Sequence, residues 1–283
     1  MSPDDLAHDA LAVGPTAFVL GGGGVLGANE VGMLQALLAV GITPDLVLGT
    51  SVGAVNGAVL ASDPTQAAVE RLTALWRSSG RTVWRSSPVH QVRAVARTRT
   101  ALQSADPLRA LLMKHLGPVD IEDLAVPFEC CAASIELAAE HWFDRGPLVD
   151  AVLASCAVPG LYPPVEIGGK HYFDGGLVNS IPVSRAVEHG ATTIYVIQVG
   201  RVERPLTVPR RPWEVATVAF EIARRHRFAR DMAAVPPNVR VHVLPSGEER
   251  APTTARTREV GAVGARIARA YDASAAYLAA QRS

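Results

Sequence analysis

The sequence predicts an α/β protein with a mainly parallel central sheet covered by helices on both faces. Three observations carry that expectation. Short apolar runs alternate along the chain with segments whose apolar residues recur at helical spacing, the order of elements that builds a parallel sheet. Two glycine-rich turns, Gly21-Gly22-Gly23-Gly24-Val25-Leu26-Gly27 and Gly49-Thr50-Ser51-Val52-Gly53, each follow an apolar run and lead into a helix-like stretch. No internal repeat or low-complexity linker divides the 283 residues, so a single domain over residues 1–283 is expected.

The elements follow in order. Thr16 to Leu20 is a short, mostly apolar run ending at the glycines, as a buried strand would. Val31, Leu34 and Leu38 then recur at helical spacing, broadened by Met33, Leu37 and Val40, until Gly41 stops the helix. Pro44-Asp45 opens a second strand at residues 46–48. After Ser51, the small residues Gly53, Ala54, Gly57, Ala58 and Ala61 let a helix approach the sheet closely. Asp63-Pro64 reads as the N-cap and first position of a helix to about Ser78.

Residues 77–105 then carry six arginines without an acidic residue until Asp106, with Trp84 among them and Trp76 just ahead. This reads as an insertion or cap. Asp106-Pro107 starts another helix, ended by Gly117-Pro118. Strands are expected at residues 128–135, 141–144, 194–199 and 239–244, and Tyr172-Phe173 is a short apolar run. Helices are expected at residues 149–157, 182–189, 213–234 and 257–280. Residues 210–283 thus form a C-terminal strand-and-helix portion.

Composition narrows the function. Lys plus Arg and Asp plus Glu number 27 each, so no global field points to nucleic acid. Three cysteines without paired spacing argue against a disulfide framework. The first residues are acidic and lack a signal peptide's basic region, and no apolar run is long enough to span a bilayer. A reducing, cytoplasmic setting is expected, with peripheral membrane contact left open. There is no H-E-x-x-H or C-x-x-C and the eight histidines are scattered, so neither a metal nor a cofactor is expected.

The second turn reads G-x-S-x-G. In a strand–turn–helix context this presents a serine on a strained elbow, with Gly49 and Gly53 where side chains would collide. Serine needs a base to take its proton and donors for the oxyanion that forms. The first turn can supply the donors, because consecutive glycines expose converging backbone N–H groups at a helix start. Gly22-x-Gly24-x-x-Gly27 also fits a dinucleotide fingerprint, but that motif wants an acidic residue at the end of the second strand. Asp45 lies at the wrong end, and Ser51 would be unexplained. Two bases compete. Asp174-Gly175-Gly176 follows a short apolar run, although Asp-Gly is also a common turn. His171 is the nearest histidine, but it adjoins Gly168-Gly169-Lys170, which reads as an exposed hairpin.

Together these residues resemble the patatin-like phospholipase family. Four blocks carry the likeness in order: Gly22-Gly23-Gly24-x-x-Gly27, Gly49-x-Ser51-x-Gly53, residues 154–164, and Asp174-Gly175-Gly176, followed by Asn179 and Pro182. They lie within a core of about residues 16–200. The resemblance implies a three-layer α/β/α sandwich and hydrolysis of fatty acyl esters, with phospholipids the default substrate. It implies a Ser–Asp dyad, with Ser51 as nucleophile and Asp174 as general base. Gly22, Gly23, Gly24 and Gly27 would form the oxyanion hole, supported by Gly49, Gly53, Gly175 and Gly176 in their turns. One position departs: the family usually has Lys or Arg where this chain has Leu26, which removes a cation beside the loop but no backbone donor.

A lipid hydrolase needs an apolar approach. Residues 76–99 and 213–230 both combine apolar and basic side chains; a solvated helix with its apolar stripe in the core is the simpler reading of each. Two alternatives to lipid hydrolysis stand: an esterase or thioesterase on small acyl substrates, and a catalytically silent binding relative.

Overall fold

The computed structural model describes residues 14–79, 101–199, 205–247 and 263–282. The central part of the expected insertion, residues 80–100, lies outside them. Among the described residues, eight strands form one sheet. Five are parallel, in the order β3 (Phe128–Ser134), β2 (Leu46–Thr50), β1 (Thr16–Leu20), β7 (Thr193–Ile197) and β8 (Arg240–Val243). The other three, β4 (Ala139–Phe143), β5 (Val165–Ile167) and β6 (Lys170–Asp174), run antiparallel to their neighbours. The expected sheet is therefore mainly parallel with an antiparallel flank.

Side-chain alternation along β1 builds the three layers. Phe18 and Leu20 face one core, shared with α1 (Ala28–Ala39), α2 (Val52–Ser62), α3 (Gln66–Ser79), α4 (Asp106–Leu116), α5 (Leu148–Ser155) and α8 (Val263–Arg282). Ala17 and Val19 face the other, with α6 (Val183–Glu188) and α7 (Pro212–Ala233). On β7, Tyr195 and Ile197 join the first core and Ile194 and Val196 the second. Leu34, Leu37, Leu60 and Leu112 are fully buried, each contributing about 1.5–3 kcal/mol relative to exposure.

One boundary and one helix face differ instructively from expectation. Residues 63 and 64 do not open α3; Thr65 stands ahead of it instead, its hydroxyl accepting the N–H of Ala67 at 3.2 Å. On α7, Val215 and Ile222 are exposed whereas Arg224 is buried, so these two apolar residues face outward rather than into the core. Arg224 tolerates burial because Glu221 and Gln198 accept its guanidinium N–H groups.

The registers around β3 decide where the functional groups lie. Cys130 and Cys131 pair with β2 on one edge and β4 on the other, while Ala132 to Ser134 pair with β4 and β6. A strand has two edges, so β2 and β6 share one. They approach from opposite directions: Thr50 is paired with Cys131, and Asp174 with Ala132. The strand ends that precede Ser51 and carry Asp174 therefore meet at one point of β3.

Helix α1, which leaves the first glycine turn, is crossed by α8 at Gly32. A Cβ there would run into the Ile267 carbonyl and stand 2.8 Å from the Tyr271 nitrogen. Gly32→Val is expected to force the helices apart and cost about 2 kcal/mol or more. The measurement is the urea midpoint of unfolding, and an unchanged midpoint would contradict this account of the crossing.

Candidate active site

Ser51 links β2 to α2 with φ 56° and ψ −124°, one of two non-glycine residues of positive φ among those described. Such a conformation costs on the order of 1–3 kcal/mol and persists only where its surroundings enforce it. The flanking glycines show the enforcement. A Cβ on Gly49 would stand 2.6 Å from Ala54 Cα, and one on Gly53 would run into the Leu20 carbonyl. Neither position has room for a side chain.

The Ser51 hydroxyl donates to Asp174 Oδ2 at 2.6 Å. Asp174 is 1% exposed, and its other oxygen accepts the Gly176 N–H at 2.7 Å. Burial dominates its titration and pushes its pKa up to about 6, while the hydrogen bonds from Ser51 and Gly176 pull it down. The glycines after it are required by space: a Cβ on Gly175 would run into the Cys131 carbonyl, and one on Gly176 would stand 2.5 Å from Phe220 Cζ on α7. His171 does not join the pair. It lies on the exposed β5–β6 hairpin, with Nδ1 2.8 Å from Glu136 Oε1.

The first turn divides by function. Gly21 N–H donates to the Ile197 carbonyl at 3.0 Å and Gly22 N–H to the Ser180 carbonyl at 2.9 Å. The Gly22 N–H thus pins the turn to the Ser180 carbonyl. Gly27 is a packing position, since a Cβ there would stand 2.5 Å from Trp76 Cζ2. Gly23 and Gly24 keep N–H groups that meet no protein acceptor among the described residues, and so does Val52, at the first position of α2. Leu26 is half-buried in a short 3-10 turn, Gly24–Gly27, and its N–H closes onto the Gly23 carbonyl at 3.2 Å. The turn forms without a basic side chain.

Behind it lies a buried polar network that the sequence reading missed. Asn56 Nδ2 donates to the Gly27 carbonyl at 3.0 Å and to Glu30 Oε2 at 2.7 Å, and its Oδ1 accepts from Trp76 Nε1 at 2.9 Å. Burial raises the Glu30 carboxyl pKa well above its ordinary value, while the hydrogen bond from Asn56 lowers it. The network ties the glycine turn to α2. Asn56 falls among small packing residues, and only its polarity on a buried face could have marked it. Ser155 was missed for a similar reason: it is fully buried, yet its Oγ accepts the Ser51 N–H at 2.9 Å.

Fold and site define a three-layer α/β protein that holds a serine–aspartate pair beside free backbone donors. A family model described as "Patatin-like phospholipase" matches residues 18–187, and the chain belongs to that family. It is 31% identical over 193 residues to Lysophospholipase NTE1 of Candida glabrata, covering 65% of this chain and 10% of the relative. It is 32% identical over 169 residues to the uncharacterized NTE family protein Mb1092c of Mycobacterium bovis, covering 59% of this chain and 44% of that one. The chain thus spans about a tenth of the first relative's length and under half of the second's. The crystal structure of VipD from Legionella pneumophila shares the fold, with a TM-score of 0.52 at 14% identity over 95% of this chain and 68% of that one.

Asp174 is neutral more readily in the fold than in the unfolded chain, so its ionisation costs stability. The sign follows: its penalty is absent below about pH 4 and complete above about pH 6, where the difference amounts to roughly 2–3 kcal/mol. Asp174→Asn is therefore expected to raise the urea midpoint relative to the parent at pH 8 and not at pH 4. Equal effects at both would show that the carboxyl is not strained by burial.

Proposed function

We propose that this chain is a lipid acyl hydrolase that works through a Ser51–Asp174 dyad. The observation that carries the reading is the 2.6 Å contact between the two side chains on a strained elbow, with no described histidine bonded to either. Asp174 takes the Ser51 proton as Oγ attacks the ester carbonyl carbon. The oxyanion is met by the N–H groups of Gly23, Gly24 and Val52, aided by the positive end of α2. The protonated Asp174 then passes its proton to the departing alcohol, leaving an acyl-serine. Water attacks this ester while Asp174 again accepts a proton, and Asp174 returns that proton to Ser51 Oγ as the C–Oγ bond breaks and the fatty acid departs. A pKa near 6 suits both halves, since the carboxylate is ionised at neutral pH yet basic enough to hold a proton in transit.

Membership of the patatin-like phospholipase family and the lysophospholipase name of the fungal relative support an acyl ester of a phospholipid as substrate. Exposed apolar residues support approach to a lipid surface. Ile135 and Leu137 stand in the turn beyond the carboxyl end of β3, and Leu177 follows the Asp174 turn. Three of the four arginines of α7 support an anionic lipid poorly: Arg224 and Arg225 pair with Glu221, and Arg227 with Asp231. Among the described residues, no helix is long and apolar enough to cross a membrane.

Ser51→Ala and Asp174→Asn are each expected to lower kcat on a phospholipid in mixed micelles by about 10³-fold or more, with His171→Ala near the parent rate. The parent's kcat/KM is expected to fall on acidification through about pH 6. Full turnover by Asp174→Asn would overturn the dyad. Faster hydrolysis of short soluble esters than of micellar lipid would favour the small-substrate esterase.

In a separate measurement, Leu137→Asp is expected to reduce sedimentation with zwitterionic phosphatidylcholine vesicles by roughly tenfold, and binding by the parent is expected to resist salt. Strict dependence on anionic lipid would contradict the apolar approach.

A further inference from the structure

We propose that Ser155 is a positioning residue that sets the distance between Ser51 and Asp174 without touching substrate. The inference rests on the dyad reading and extends it to the residue that holds the pair together. Ser155 ends α5 and is fully buried, so it acts only through its neighbours.

Its hydroxyl makes two bonds from one atom. Oγ accepts the Ser51 N–H at 2.9 Å and donates to the Cys131 carbonyl at 2.6 Å. Cys131 is the residue of β3 beside which the ends of β2 and β6 meet, and the Gly175 backbone lies directly against its carbonyl. Two residues further on, the Ala157 carbonyl accepts the Asp174 N–H at 2.9 Å. One short stretch of chain thus grips the backbone of both dyad residues, Ser51 through a side chain and Asp174 through a carbonyl.

The chemistry demands a hydroxyl. Ser51 stands ahead of α2, so its N–H has no helical acceptor, and Ser155 Oγ is the acceptor the fold gives it. Bridging an N–H to a C=O through one atom needs a group that accepts and donates together. Alanine can do neither, while a thiol does both weakly. Without the bridge, the elbow is free to relax and the Ser51–Asp174 hydrogen bond lengthens.

The test compares Ser155→Ala and Ser155→Cys with the parent chain. It measures kcat and KM on a soluble acyl ester, the rate of Ser51 labelling by a fluorophosphonate over roughly pH 5 to 9, and the urea midpoint. Ser155→Ala is expected to lower kcat about tenfold to a hundredfold with KM little changed. The acid limb of its labelling profile is expected to move to higher pH, because the Ser51 hydrogen bond is one of the contacts holding the Asp174 pKa down. The thiols of Cys131 and Cys156 beside Asp174 do not confuse that limb, because burial raises both well above their ordinary range; the charged groups near Cys131 are Arg227 and Glu140, an ion pair 3.5 Å apart. Ser155→Cys is expected to be intermediate in both readouts, and it carries the test alone if the alanine variant does not fold. A lower kcat with an unmoved profile, or no change in either, overturns the proposal. Asp174→Asn serves as the control: if it labels at the parent rate the dyad itself fails, whatever Ser155 does.

Discussion

The meeting of β2 and β6 on one edge of β3 is the constraint on which the rest of this site depends. A parallel strand arriving at Cys131 and an antiparallel strand arriving at Ala132 leave no residue between them. Ser51 and Asp174 are far apart in sequence, yet their separation is fixed by hydrogen-bond ladders to a common neighbour. Those ladders pack on the larger apolar core, which Phe128, Cys130 and Ala132 of β3 and Tyr172 of β6 join. Steric exclusion does the remaining work, since Gly49, Gly53 and Gly175 each leave backbone against backbone where any side chain would collide.

Placing a carboxyl at that junction has an electrostatic cost. Asp174 is buried with few polar partners, and the fold would be better served by a neutral group. The same burial that opposes its charge makes it a stronger base, so stability and reactivity draw on one quantity with opposite signs. Glu30 illustrates the other outcome. It too is buried, and burial raises its carboxyl pKa well above the ordinary value against the lowering effect of Asn56, the partner through which it helps hold the glycine turn to α2. Two buried acids, one just after the first glycine turn and one at the end of β6, thus differ in role through their partners.

Much of this was legible in the sequence because it reflects local sterics. The strand before Gly21, the strand before Gly49 and the small-residue face of α2 all announce close helix–sheet packing, and each forms. Helix lengths were legible to within a few residues wherever apolar spacing was regular, as in α1 and α7. The antiparallel flank was harder: β4 to β6 are short strands without a long buried run, and only Gly168-Gly169 signalled a hairpin. In the site, Ser51 stood out because its glycines did, whereas Asp174 had to compete with an ordinary Asp-Gly turn and with His171. Asn56 and the occupied N–H of Gly22 left no pattern at all, and Ser155, although inside the block of residues 154–164, carried no mark of its role. Their roles depend on which residue lies opposite across the fold, and a buried serine or asparagine looks the same whether it holds a loop or merely fills space.

The end-to-end arrangement of β2 and β6 also bears on how this protein could go wrong while staying folded. Strand pairing repeats every two residues, so a shift of β6 by one position along β3 would turn Asp174 to the opposite face of the sheet. Such a chain would keep most of its ladder, both apolar cores and much of its spectroscopic appearance. It would place Phe173 or Gly175 where the carboxyl belongs. Correct assembly of this site is therefore a matter of counting along a strand, and the Gly175 contact with Cys131, which admits no side chain, is what makes one count fit and its neighbours fail.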